Sequence, residues 1–148
     1  MILRAFLFLA LLAVAACGDF PRDPDGTLDR IRAQRQFKVG IIASAAPIGE
    51  DRQQLFLQRV SATAHAQPAI ETGASESLLA KLEAGALDLV IGEMDAKTPW
   101  AKRITLLPPL GEQVGKEGHT HLAAMARNGE NGWIALLHRE ASVVASLR

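Results

Sequence analysis

Glu93, Asp95 and Trp100 fall close together just past an apolar run, and their types suit one task. Two carboxylates pair with a cation, and an indole face attracts the same charge through its ring quadrupole. The alternative for the same side chains is a solvated loop in which Trp100 covers apolar surface. Lys97, Lys102 and Arg103 lie in the same stretch and would pair with an anion if the loop turned them inward. His119 and His121 would point the same way from an extended segment, as metal ligands do. Glu117 is their one near neighbour of ligating type, which is too few, so no metal is expected. His65 and His138 fall on helical patterns and read as surface residues. No Gly-x-Ser-x-Gly elbow, phosphate loop or His-Glu-x-x-His occurs, and no local motif places a base beside Ser44. The expectation is a protein that is not an enzyme and carries no cofactor.

The chain has 148 residues, enough for one domain but not for two of full size. Its 16 basic and 16 acidic side chains balance, which argues against a nucleic-acid partner. A single cysteine excludes an intrachain disulfide and a multi-cysteine zinc cage. Aromatic residues are 5% of the chain, with no tyrosine, so stacking surfaces for sugars or bases are scarce.

Residues 1–16 (MILRAFLFLALLAVAA) place Arg4 before an uninterrupted apolar run, the pattern of a signal peptide and too short to span a bilayer comfortably. The run ends in Val14-Ala15-Ala16-Cys17-Gly18, which resembles the bacterial lipobox, with Cys17 as the lipidated residue. An ordinary signal peptide with a chance cysteine is the alternative. Acyl chains on Cys17 would hold the protein on a bilayer, each buried methylene contributing about 0.8 kcal/mol. Resemblance to lipoprotein sorting rules makes Gly18 favour the outer membrane, on its periplasmic side. The expected division is a signal peptide over 1–16, a lipidated N-terminus and tether over 17–26, and one lobe over 27–148.

The spacing predicts a helix over Leu28–Gln34 capped by Thr27, then a strand over Phe37–Ala43. A helix follows over Asp51–Ala66, ended by Pro68, with a short strand over Ala69–Thr72. Ser75 is the expected cap of a helix over Glu76–Ala84, with Leu78, Leu79 and Leu82 inward and Gly85 as its stop. Leu87–Ile91, Ile104–Leu107 and His121–Ala126 read as strands, and Trp133–Leu147 as a last helix. Gly111–Gly118 reads as a flexible connection. The alternation of helix and strand predicts an α/β fold, a mostly parallel sheet flanked by helices.

Three stretches carry a resemblance. They are Gly26–Gly40 (GTLDRIRAQRQFKVG), Ser77–Met94 (SLLAKLEAGALDLVIGEM) and Ala101–Leu110 (AKRITLLPPL). His121–Ser142 adds a weaker one. Together they resemble the family 3 periplasmic solute-binding proteins of ABC importers, which typically bind amino acids between two lobes of a type II periplasmic-binding-protein fold. Asp88 matches an aspartate of the family that is not catalytic. About ten residues separate Leu110 from His121, and domains typically need 50 or more. The resemblance therefore implies one lobe without its opposing half.

In open α/β sheets, ligands sit at the carboxyl ends of the strands. After the first strand this chain has Ser44-Ala45-Ala46-Pro47-Ile48, where the family carries an acidic, proline and aromatic cluster. Counted without gaps after the third strand, the family's small residue, threonine and carboxylate-binding arginine become Glu93, Asp95 and Trp100. Classical amino-acid capture is therefore not carried over. The expected site is Ser44, Glu93, Asp95 and Trp100, with a small cationic solute as its ligand. The leading function is a membrane-anchored binding lipoprotein related to importer receptors, with a permease as a candidate partner. The alternative is an interaction protein that docks a partner, or a second copy in a homodimer, on the former cleft face.

Overall fold

The computed structural model describes residues 23–44, 49–95, 97–111 and 120–147. Residues 1–16, Cys17, Glu117 and His119 lie outside the described residues. Helices α1 (Thr27–Gln34), α2 (Glu50–Ala64), α3 (Ser75–Glu83) and α4 (Asn131–Ser146) flank strands β1 (Gln36–Ile42), β2 (Gln67–Gly73), β3 (Leu89–Asp95), β4 (Ile104–Leu106) and β5 (Thr120–Arg127). A 3₁₀ turn, Pro99–Lys102, precedes β4.

The strands form one open sheet in the order β2-β1-β3-β5-β4. β1 pairs in parallel with both β2 and β3. β5 is antiparallel to β3 and to β4, so β4 runs the same way as β3 and only β5 is reversed. The sheet is thus mostly parallel and flanked by helices, as the alternating pattern predicts.

Side-chain alternation divides the core into two layers. Phe37, Val39, Leu89 and Ile91 pack with Ile31, Phe56, Val60, Trp133 and Leu137 on the α1, α2 and α4 side. Val90, Met94, Ala123 and Met125 pack with Leu78, Leu79 and Leu82 of α3 on the other. At nine residues α3 is too short to be stable alone. Burial of its three leucines, each stabilising by about 1.5–3 kcal/mol, holds it in place. Among the described residues no helix is long and apolar enough to cross a membrane.

Several boundaries differ from the sequence expectations. Pro68 does not merely end a helix; it sits inside β2, at the sheet edge, where a missing N–H is tolerated. β3 begins after Asp88 rather than at Leu87, and it runs on through Glu93 to Asp95. Thr27 and Ser75 are first helical residues, not caps; Gly26 and Ala74 hold the cap positions. Gly26 takes φ 66°, a left-handed conformation that glycine adopts without strain. Asp23 and Asp25, read as tether, are bonded into the lobe. Asp23 accepts from the Leu28, Gly132 and Trp133 amides, and Asp25 pairs with Arg127.

Two polar anchors tie the helices of the first layer to the strands and to one another. Asp88 is 4% exposed, pairs with Arg30, and accepts from the Lys38 amide at 2.8 Å. Arg52 on α2 donates to Leu110 O, Val144 O and Leu147 O at 2.9–3.1 Å. That guanidinium ties the β4–β5 connection to the carbonyls ending α4.

Candidate functional site

The carboxyl ends of β1 and β3 form one rim, and Ser44 and Glu93 meet there. Ser44 Oγ donates to Glu93 Oε1 at a long 3.3 Å. This close approach depends on Gly92, because a Cβ there would lie 2.5 Å from Cβ of Ile42. Asp95 is exposed and turns back on its own chain, its Oδ1 accepting from the Lys97 amide at 2.7 Å.

Trp100 does not join that pair. Leu89 and Ile91 face one layer, Val90 and Met94 the other, so alternation sends Glu93 and Asp95 with the first. Trp100 packs against the layer of Met94 and α3. The expected corner of Glu93, Asp95 and Trp100 is therefore split between the two faces of β3. The cause is the extra length of the strand: residues expected in a loop obey strand periodicity instead.

On the Trp100 face lies a pocket of 340 Å³, lined by Ser75, Glu76, Met94, Thr98, Pro99, Trp100 and Arg103. Glu76 Oε1 accepts from the Trp100 indole N–H at 3.2 Å. The Arg103 guanidinium carbon stands 4.5 Å from the centre of the Trp100 ring, and Glu83 grips the same guanidinium through both carboxylate oxygens. The indole face expected to receive a ligand cation thus already carries one from its own chain. Thr98 opens the turn by accepting from the Trp100 amide at 3.4 Å, with Pro99 in the first helical position. Ser75 and Glu76 come from the first turn of α3, where the initial amides have no side-chain cap.

Sequence reasoning missed Glu76, Met94 and Thr98. The Thr98-Pro99 pair carried a usable signal, a capping residue followed by a helix-starting proline. Glu76 carried none, being brought to Trp100 by the packing of α3. Lys97 and Lys102 are exposed, and neither lines the pocket. His121 stands opposite Met94 on β5, and its Nδ1 is buried without a hydrogen-bond partner among the described residues. Among those residues no group of three or more His, Cys, Asp or Glu could hold a metal ion. His65 is the exposed residue ending α2, and His138 is exposed on α4.

No protein-family model matches the sequence, and neither does any curated protein. Solved structures do share the fold. The arginine-bound form of domain 1 from TmArgBP superposes with a TM-score of 0.65 at 14% identity, over 78% of this chain and 98% of that one. An ancestral cationic amino acid solute-binding protein gives 0.63 at 11%, over 79% and 93%. An amino acid ABC transporter substrate-binding protein from Streptococcus pneumoniae, bound to L-arginine, gives 0.62 at 9%, over 80% and 91%. The ancestral protein is also described as a precursor of cyclohexadienyl dehydratase; the others are binding proteins. At such identities the likeness is one of fold. The chain has the architecture of a single solute-binding-protein-like lobe.

Proposed function

We propose that this chain is a solute-binding lobe of the amino-acid importer type, held on the periplasmic side of a bacterial membrane, the outer one favoured, through acylated Cys17. The observation that carries the reading is the opposite charge of Glu76 and Arg103 on one pocket at the carboxyl end of β3. An amino acid presents both signs. Its carboxylate would meet Arg103 and the first amides of α3, and a cationic group would meet Glu76. The volume of 340 Å³ stands at the lower end of small-molecule pockets, which suits a solute of amino-acid size. Support for a cationic solute comes from the neighbours, one of which is a lone domain carrying arginine. Of the site expected at Ser44, Glu93, Asp95 and Trp100, this reading keeps Trp100 and replaces the others with Glu76, Thr98 and Arg103.

A pocket on one lobe leaves much of its ligand in water, so affinity is weak, on the order of 0.1–1 mM, for want of buried surface. Calorimetric titration of the full chain with L-arginine tests the proposal. Saturable heat that disappears in Glu76→Gln supports it. No heat at millimolar ligand overturns it. Mass spectrometry of Cys17 decides the anchoring separately, since an unmodified thiol on chain purified from membranes removes that part alone.

A further inference from the structure

The two edges of the sheet differ. β4 is three residues long and packs against the Pro99–Lys102 turn, which blunts that side. β2 is seven residues long, and among the described residues no strand pairs with its outer side. Gln67 N donates to Arg35 O, and Gly73 O accepts from Ala43 N, so these alternate residues turn their backbone groups toward β1. Pro68, Ile70 and Thr72 therefore turn theirs outward.

The side chains there are as unguarded as the backbone. Ile70 is 56% exposed, the most exposed large hydrophobic residue among those described. It borders a groove of 640 Å³ between β2 and α2, lined by Gln53, Leu57, Gln58, Ser61, Pro68 and their neighbours, with no charged residue. In a chain that is 22% charged this is a marked gap, and interface cores are depleted in charge. The adjacent charges are spent elsewhere. Glu71 pairs with Lys81 at 2.6 Å on the opposite face of the sheet, and Arg59 pairs with Glu140 at 2.9 Å.

We propose that β2 pairs with β2 of a second copy, antiparallel about a two-fold axis at Ile70, joining two sheets into one across the uncharged groove. The occupant follows from the pattern. Ile70 offers both a donor and an acceptor outward, and a two-fold axis matches each with its opposite on the second copy. Thr72 N–H of each copy then reaches Pro68 O of the other. Pro68 lacks an N–H, so the ladder stops there and does not propagate. A neutral face meeting its own copy leaves no unpaired charge buried. The contact uses the sheet edge rather than the rim, so it stands whether or not the pocket binds a solute. Edge pairing of this extent lies at the small end of interfaces, with a dissociation constant in the micromolar range.

Analytical ultracentrifugation of the full chain, in detergent matched to solvent density, tests it across a micromolar concentration series. Wild type is expected to pass from monomer to dimer, with the Ile70 and Thr72 amides exchanging more slowly as dimer forms. Ile70→Lys is expected to raise the dissociation constant about a hundredfold, two isoleucines leaving each interface. Circular dichroism confirms that this exposed substitution keeps the fold. Three outcomes overturn the proposal: a wild-type monomer at every concentration, which would leave the edge to a foreign strand; a dimer unaffected by Ile70→Lys; or amide exchange at Ile70 and Thr72 independent of concentration.

Discussion

Asp23 and Glu130 exchange contacts between two helix starts. Asp23 precedes α1, whose Leu28 amide donates to its Oδ2 at 2.9 Å, and its Oδ1 also accepts from the Gly132 and Trp133 amides of α4 at 2.6 and 3.1 Å. Glu130 precedes α4, yet its Oε2 accepts from the Thr27 amide of α1 at 3.2 Å, and its Oε1 from Asp25 N at 3.1 Å. Each carboxylate also offsets the positive end of the helix it reaches. The starts of α1 and α4 are joined by these hydrogen bonds where the sheet itself does not join them.

Asp23→Ala is expected to lower unfolding stability by about 1–2 kcal/mol, as loss of a helix cap does. Glu130, 2% exposed, leaves buried amides unpaired when truncated, so Glu130→Ala is expected to cost about 2–3 kcal/mol. Urea denaturation of both variants and of the double variant measures the coupling. A double variant whose loss equals the sum of the singles shows that the exchange is not one unit.

Asp88 makes a similar prediction for the sheet. Asp88→Ala leaves Arg30 and the Lys38 amide without their acceptor. Because the Arg30 side chain is 34% exposed, the expected loss of about 2–3 kcal/mol falls below that of a fully buried pair. Asp88→Asn keeps an acceptor for the Lys38 amide and is expected to lose about half as much. Equal losses in the two variants would assign the whole effect to the charge.

Gly92 links the fold to the rim. Gly92→Ala is expected to cost about 2–3 kcal/mol, since β1 and β3 must part to admit the methyl group beside Ile42. The same separation would pull Ser44 from Glu93. Thermal unfolding together with amide exchange along β1 reads both effects, and a variant as stable as wild type contradicts the close approach.

Arg103→Ala separates two kinds of ligand. The Arg103–Glu83 pair is exposed, so its loss is expected to change stability by no more than about 1 kcal/mol. L-Arginine binding is expected to fall about tenfold or more with loss of the group facing its carboxylate. Putrescine, a cation without a carboxylate, is expected to bind the variant at least as well, the Trp100 face being uncovered. Equal weakening of both ligands in parallel titrations would deny Arg103 a role in reading the carboxylate.

The layered α/β plan was legible because local pattern and final packing agree there. The spacing of Leu78, Leu79 and Leu82 marks α3, and the β-branched run around Ile41 marks β1. The rim was not legible in the same way. Gly92 and Glu93 look like the start of a loop, since neither favours a strand, and only pairing with β5 keeps β3 going to Asp95. That extension separates Glu93 from Trp100 across the two faces of β3. The capping exchange was hidden for another reason. Asp23 and Gly132 lie 109 residues apart, and no local signal announces a contact at that separation.

Arg52 holds the β4–β5 connection and the last turn of α4 with a single planar group. Load placed on the chain near Leu110 therefore arrives at Val144 and Leu147 without passing through the sheet. A shift at one of these places is thereby coupled to the other through one side chain.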